Sequence, residues 1–184
     1  MSGQQQARRT KRPRPPLDPP TLRALALHYL GRYATSRGRL RHYLERKIRE
    51  RGWTQNAPAA DLDSLIAGFA ERGYVDDASF AEARASSMLR RGYGRNRVNA
   101  ALRHAGIDAE LADATSQIDS ESAREAALAF ARRRRLGPFG VPIRDHKQRE
   151  KAIAAFIRAG HPYEIAREIV ENGAELRDSG DFFR

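Results

Sequence analysis

Cysteine is absent from this chain of 184 residues. That removes disulfides, thiol catalysis and cysteine-ligated metal together, and it suits a reducing compartment. No apolar run approaches the roughly 18 residues needed to cross a bilayer. The N-terminus is rich in Gln, Arg and Pro and has no apolar stretch of the signal-peptide kind. Alternating strand patterning is missing throughout. Acidic charge is scarce: 23 Asp and Glu face 34 Lys and Arg, a net charge of +11. The expectation is a soluble cytoplasmic protein, without a membrane segment, whose partner is DNA, RNA or another acidic surface.

What is present is helical periodicity. Residues 1–20 carry Arg8, Arg9, Lys11, Arg12 and Arg14 among five prolines and are read as a disordered basic arm. From Thr21, Leu22, Leu25, Ala26, Tyr29, Leu30 and Tyr33 form one apolar stripe. Thr35-Ser36 break it and are expected to cap the next helix, residues 37–51. Segment 21–58 has nine basic and two acidic residues and holds most of the charge asymmetry. Asp61 is expected to cap a third helix. Ser122 and Glu125 have capping-box spacing and are expected to open a later one.

The stretch 73–81, Gly-Tyr-Val-Asp-Asp-Ala-Ser-Phe-Ala, organises the middle of the chain. Gly73 is placed to take a left-handed turn at a helix end. Tyr74 and Val75 are expected to tuck into the core, with Asp76 and Asp77 as caps of the helix that carries Phe80.

Three further helix-ending glycines, Gly52, Gly106 and Gly160, are separated by two equal intervals of 54 residues. Four residues before each stands Ile48, Leu102 or Phe156. The reading is an all-α chain of three three-helix repeats, at 21–73, 76–119 and 121–172, with a frayed tail at 173–184. Stacked units of this size should form an elongated, curved solenoid, larger in radius than the roughly 16 Å of a compact domain.

Catalytic signals are weak. Adjacent Asp76 and Asp77 point different ways and suit capping better than acid–base work. His28, His42, His104, His146 and His161 show no metal spacing and are expected at the surface or as caps, His161 before Pro162 in particular. Gly92-Tyr93-Gly94-Arg95 could cradle a phosphate but reads better as a plain turn. No enzyme, cofactor or metal is expected. Basic ridges recur instead: Arg37, Arg39, Arg41, Arg46 and Arg49; then Arg90, Arg91, Arg95, Arg97 and Arg103; then Arg132, Arg133, Arg134, Arg135 and Arg149. Arginine forks suit phosphates and carboxylates.

The stretch 73–81 resembles the RecX family of recombination regulators. Supporting matches are Gly94-Arg95 leading into Leu102-Arg103-His104-Ala105-Gly106-Ile107, the Ser36-Arg37-x-x-Leu40 helix start, and the arginine run followed by Gly137-Pro138-Phe139. The resemblance implies tandem three-helix repeats that bind RecA in the groove of its filament on single-stranded DNA. It further implies inhibition of ATP hydrolysis, filament growth and strand exchange, with no catalytic site or cofactor. A monomer is expected. Two other readings of the basic repeats are a helix-turn-helix-like regulator and a non-specific nucleic-acid scaffold, both acting on DNA without RecA.

Overall fold

A computed structural model describes residues 15–172. The described residues form nine α-helices and no strand. They are α1 (Pro19–Leu30), α2 (Arg37–Arg51), α3 (Leu62–Glu71), α4 (Asp77–Arg90), α5 (Arg95–His104), α6 (Ala109–Ser116), α7 (Ser120–Arg134), α8 (His146–Arg158) and α9 (Tyr163–Glu171). A 3₁₀ turn, Gly137–Phe139, interrupts the loop after α7. Most of the basic arm and the tail at 173–184 lie outside the described residues.

Aspartate starts most of these helices. Asp18, Asp61, Asp76, Asp108, Asp119 and Asp145 are the N-caps of α1, α3, α4, α6, α7 and α8. Each carboxylate accepts a backbone N–H that the helix itself cannot pair. Much of the scarce acidic charge is therefore held at helix starts, while arginines occupy helix faces.

Helix ends follow a second rule. Tyr74, Tyr93, Ile107 and His161 donate their N–H to the carbonyls of Phe69, Met88, Leu102 and Phe156 across a glycine at positive φ. This wrapped C-cap needs a residue without a side chain, and it places an apolar residue four positions before the glycine. Gly73, Gly92, Gly106 and Gly160 supply φ of +72°, +76°, +74° and +94°. Gly52 ends α2 at φ +78° with a single bond to the Ile48 carbonyl.

Three apolar clusters form. The first gathers Leu17, Leu22, Leu40, Leu44, Ile66 and Phe69. The second gathers Ala81, Met88, Val98, Leu102 and Ile107. The third gathers Phe130, Ile153, Phe156 and Ile169. By compactness the chain divides into two units. Among the described residues, one is the segment up to Thr35 with Arg39–Val75, and the other is Ser36–Gly38 with the segment from Asp76 onward. The first unit holds the first cluster and the second unit holds the other two.

Three local expectations are corrected. The irregular arm stops short of residue 20: Leu17 is fully buried, its N–H donates to the Gly52 carbonyl and its own carbonyl accepts from Thr54. Pro19 and Pro20 then open α1, where a missing N–H costs nothing. Val75 is buried, but Tyr74 is 56% exposed and meets Phe69 only edge-on. Asp119, not Ser122, caps α7 and accepts from both the N–H and the hydroxyl of Ser122. Ser36, just before α2, donates its hydroxyl to the Ala105 carbonyl, 69 residues away. The first N–H of α2, from Arg37, goes to Asp77 at 2.8 Å.

Candidate functional site

The basic residues are not equivalent once placed. Arg41 is paired with Asp63. Arg149 pairs with Glu171 and lies 3.5 Å from Glu150. Arg46 stands 3.7 Å from Glu50, and Arg90 bonds the Ser86 hydroxyl at 2.5 Å. Arg37 lies 4.0 Å from Asp77, whose carboxylate also holds its N–H. Arg49, Arg95 and Arg103 are exposed on helix faces, Arg91 is exposed just past the end of α4, and none of the four lines a principal groove.

Within the second unit, Arg97 of α5, Arg133 and Arg134 of α7, and Arg158 of α8 converge on one groove of about 490 Å³. Its walls are Tyr93, Phe130, Ala155 and Ala159, and no carboxylate lines it. The Arg133 guanidinium stacks over Tyr93 at 5.3 Å, which fixes one fork without neutralising it. Arg134 and Arg158 also border a neighbouring groove of about 370 Å³, joined there by Arg135 and Lys151. Arg132 is turned the other way, over Phe139 at 5.1 Å. Arg135 adopts φ +53°, the left-handed position that glycine takes at the other helix ends.

Backbone contacts join the start of α5 to the end of α8 beside this groove. Gly94 donates its N–H to the Ala159 carbonyl at 2.9 Å, and Asn96 donates to Gly160 at 3.2 Å. Those bonds use the N–H groups that a phosphate would need, so the 92–95 turn is no phosphate cradle. His161 is buried between Phe130 and Phe156, and its Nε2 donates to the Gly92 carbonyl at 3.1 Å. It is neither a surface residue nor a cap; Pro162 precedes α9 without a side-chain cap. Burial lowers its pKa, and the Gly92 bond opposes that shift. At Asp76, bonds from the Ser79 hydroxyl and N–H hold the carboxyl below its usual range, with help from Arg37.

Arg158, Lys151 and the Tyr93 wall were not legible as site residues. Arg158 precedes Gly160 by two positions, as the basic pair Arg103-His104 precedes Gly106, and that recurrence was the available signal. Among the described residues, no cluster of three histidine or acidic side chains is placed to hold a metal ion, and no helix is long and apolar enough to cross a membrane.

Residues 76–115 match the family description "RecX, second three-helix domain". The chain is 33% identical over 172 residues to the regulatory protein RecX of Myxococcus xanthus, covering 88% of this chain and 90% of that one. It is 31% identical over 159 residues to the regulatory protein RecX of Mycolicibacterium smegmatis, covering 83% and 81%. The crystal structure of RecX from Lactobacillus salivarius superposes with a TM-score of 0.58 at 16% identity, covering 87% of this chain and 96% of that one. At that identity the superposition speaks for the fold alone, which is all-helical in both.

Proposed function

This chain belongs to the RecX family of regulatory proteins, and from that premise we propose that it regulates RecA by binding RecA and its filament on single-stranded DNA. The effect is inhibition of ATP hydrolysis, filament growth and strand exchange, exerted by occupancy in the cytoplasm during DNA repair. The three apolar clusters are then three repeats of one design, at 21–73, 76–119 and 121–172. Each presents arginines: Arg37 and Arg39 in the first, Arg95, Arg97 and Arg103 in the second, Arg132 to Arg135 in the third.

The observation that carries the reading is the groove of Arg97, Arg133, Arg134 and Arg158. Four guanidinium groups around a cavity without a lining carboxylate call for an external anion. A filament offers two kinds: acidic side chains on RecA and DNA phosphates. Groups already paired inside the chain, such as Arg41 and Arg149, contribute less to that contact.

The test is RecA's single-strand-DNA-dependent ATP hydrolysis with this protein titrated well below the RecA concentration. Inhibition at a small fraction of RecA supports a filament regulator. Inhibition only when the protein suffices to coat the DNA reduces the effect to competition for DNA. No effect at any ratio removes the proposal.

A further inference from the structure

The first unit carries a second kind of surface, made of rings. Tyr29 of α1 and Tyr43 of α2 are stacked, with centroids 4.2 Å apart and planes 17° from parallel. Tyr33 continues the set at 5.1 Å from Tyr29, tilted by 45°. Tyr33 lies just past the end of α1, and its N–H donates to the Tyr29 carbonyl at 3.0 Å, which keeps the two residues side by side. Tyr29 and Tyr43 are half-buried against the first apolar cluster. Tyr33 is 55% exposed and is absent from that cluster, so the fold does not require its ring.

Around the rings lies a groove of about 430 Å³, into which Arg32, Arg39 and Arg46 also project and which no carboxylate lines. Arg46 and Lys47 each stand 5.8 Å from the Tyr43 ring. Arg46 also reaches Glu50 at 3.7 Å, outside the groove lining. An exposed ring backed by a stacked pair offers a flat apolar face, and arginines on its border answer a backbone charge. A nucleobase with its phosphate has both features. An acidic peptide would engage the arginines and leave the rings without a matching face.

We propose that Tyr33, backed by the Tyr29–Tyr43 pair and bordered by Arg32, Arg39 and Arg46, is a base-stacking site for single-stranded nucleic acid. The site works without RecA. It therefore goes beyond the regulatory reading and does not depend on it.

The experiment uses the full chain without RecA. A fluorescein-labelled oligo-dT is compared with an abasic oligonucleotide of equal length and charge, by anisotropy at several salt concentrations. The wild-type chain is expected to prefer oligo-dT by about tenfold, the usual scale for one stacked base. Tyr33→Ala should lose that preference, and Tyr33→Phe, which keeps the ring, should retain it. The salt slope should be unchanged in Tyr33→Ala and shallower by about one ion in Arg32→Ala. Equal binding of the two oligonucleotides by wild type overturns the site, as does unchanged preference in Tyr33→Ala. Loss in Tyr33→Phe assigns the effect to the hydroxyl and equally overturns stacking. Competition by poly-glutamate that displaces both probes alike, with no base preference, replaces the proposal with an acidic-peptide surface. RecA-dependent ATP hydrolysis measured on the same variants reads the regulatory proposal separately, so either can fail alone.

Discussion

A β-carbon built on Gly38 would stand 2.6 Å from the Cα of Gly106, and one built on Gly106 would stand 2.7 Å from the Cα of Gly38. Two backbones meet here with no room for a methyl group. The neighbouring bond from the Ser36 hydroxyl to the Ala105 carbonyl ties the same place. Gly94 and Gly160 make a like approach where α5 meets the end of α8.

Gly38→Ala and Gly106→Ala should therefore both destabilise the fold, by about 1–3 kcal/mol of steric cost. Gly106→Ala carries in addition the left-handed backbone penalty, about 1 kcal/mol. Gly52→Ala is the control: its φ is +78° but nothing lies within 4 Å of the added carbon, so it should show the backbone cost alone. Urea denaturation of the three variants ranks them. Gly52→Ala as damaging as Gly106→Ala would sink the close-packing account.

Asp76 and Asp77 should behave differently although they are adjacent. Asp76 accepts from Ala78 and Ser79 at the start of its own helix. Asp77 accepts from Arg37, 40 residues earlier. Asp76→Ala should cost about 1 kcal/mol as a lost N-cap. Asp77→Ala should cost a similar amount, but Asp77→Asn should recover most of it, since an amide oxygen still accepts the Arg37 N–H. Hydrogen exchange at the Arg37 amide reports this directly: fast exchange in Asp77→Ala and slow exchange in Asp77→Asn.

What could be read in the sequence follows from locality. The 54-residue glycine rhythm was legible because each of these helix ends is tied to an apolar residue four positions before its glycine, by the wrapped C-cap at Gly106 and Gly160 and by the N–H of Gly52 itself at Ile48. The capping role of Asp61 and Asp76 was legible because the N–H groups they hold lie two or three residues ahead. The partner of Asp77 was not, because no local rule links positions 37 and 77. His161 was misplaced for the same reason: its partner carbonyl, Gly92, is 69 residues away. The arginine ridges were visible as composition. Their sorting into paired residues such as Arg149 and groove residues such as Arg97 depends on which helices converge.

Arg135 should give a stabilising change. Its φ of +53° is a conformation in which an L side chain is strained, and the same C-cap bond, from Leu136 to the Ala131 carbonyl, forms there as at the glycine ends. Arg135→Gly should raise stability by about 1 kcal/mol. Thermal denaturation tests this, and an unchanged or lower Tm would mean that the arginine is not strained.

His161 should make the fold acid-sensitive. Its folded pKa lies below the ordinary 6.5 because burial penalises the imidazolium. Below about pH 6.5 the unfolded chain therefore binds the proton more readily than the folded one, and stability falls with pH. Above that value the contribution is fully present. The Asp18, Asp61, Asp76 and Asp119 caps, all shifted below 3.8, titrate in a lower window and leave the range from pH 7 to 5 to histidine. Tm measured across that range should decline for wild type and decline less for His161→Phe. An equal slope in both would assign the titration to another group.

The arginine groove should separate from the arginines that are already paired. Arg97→Glu with Arg158→Glu reverses two charges whose side chains are exposed, so folding should survive. If the groove receives an acidic group of the RecA filament, half-inhibition of ATP hydrolysis should require at least about tenfold more protein, the scale of one lost charge-assisted bond. Arg149→Glu reverses a charge of the same sign elsewhere, next to Glu150 and Glu171. It should lower Tm through repulsion and leave the inhibitory concentration nearly unchanged for the fraction that is folded. The opposite pattern, with Arg149→Glu abolishing inhibition in a folded protein and the groove variant fully active, would move the contact surface to the α8–α9 face. Equal, small losses in both would mean that net charge, not the groove, governs the encounter.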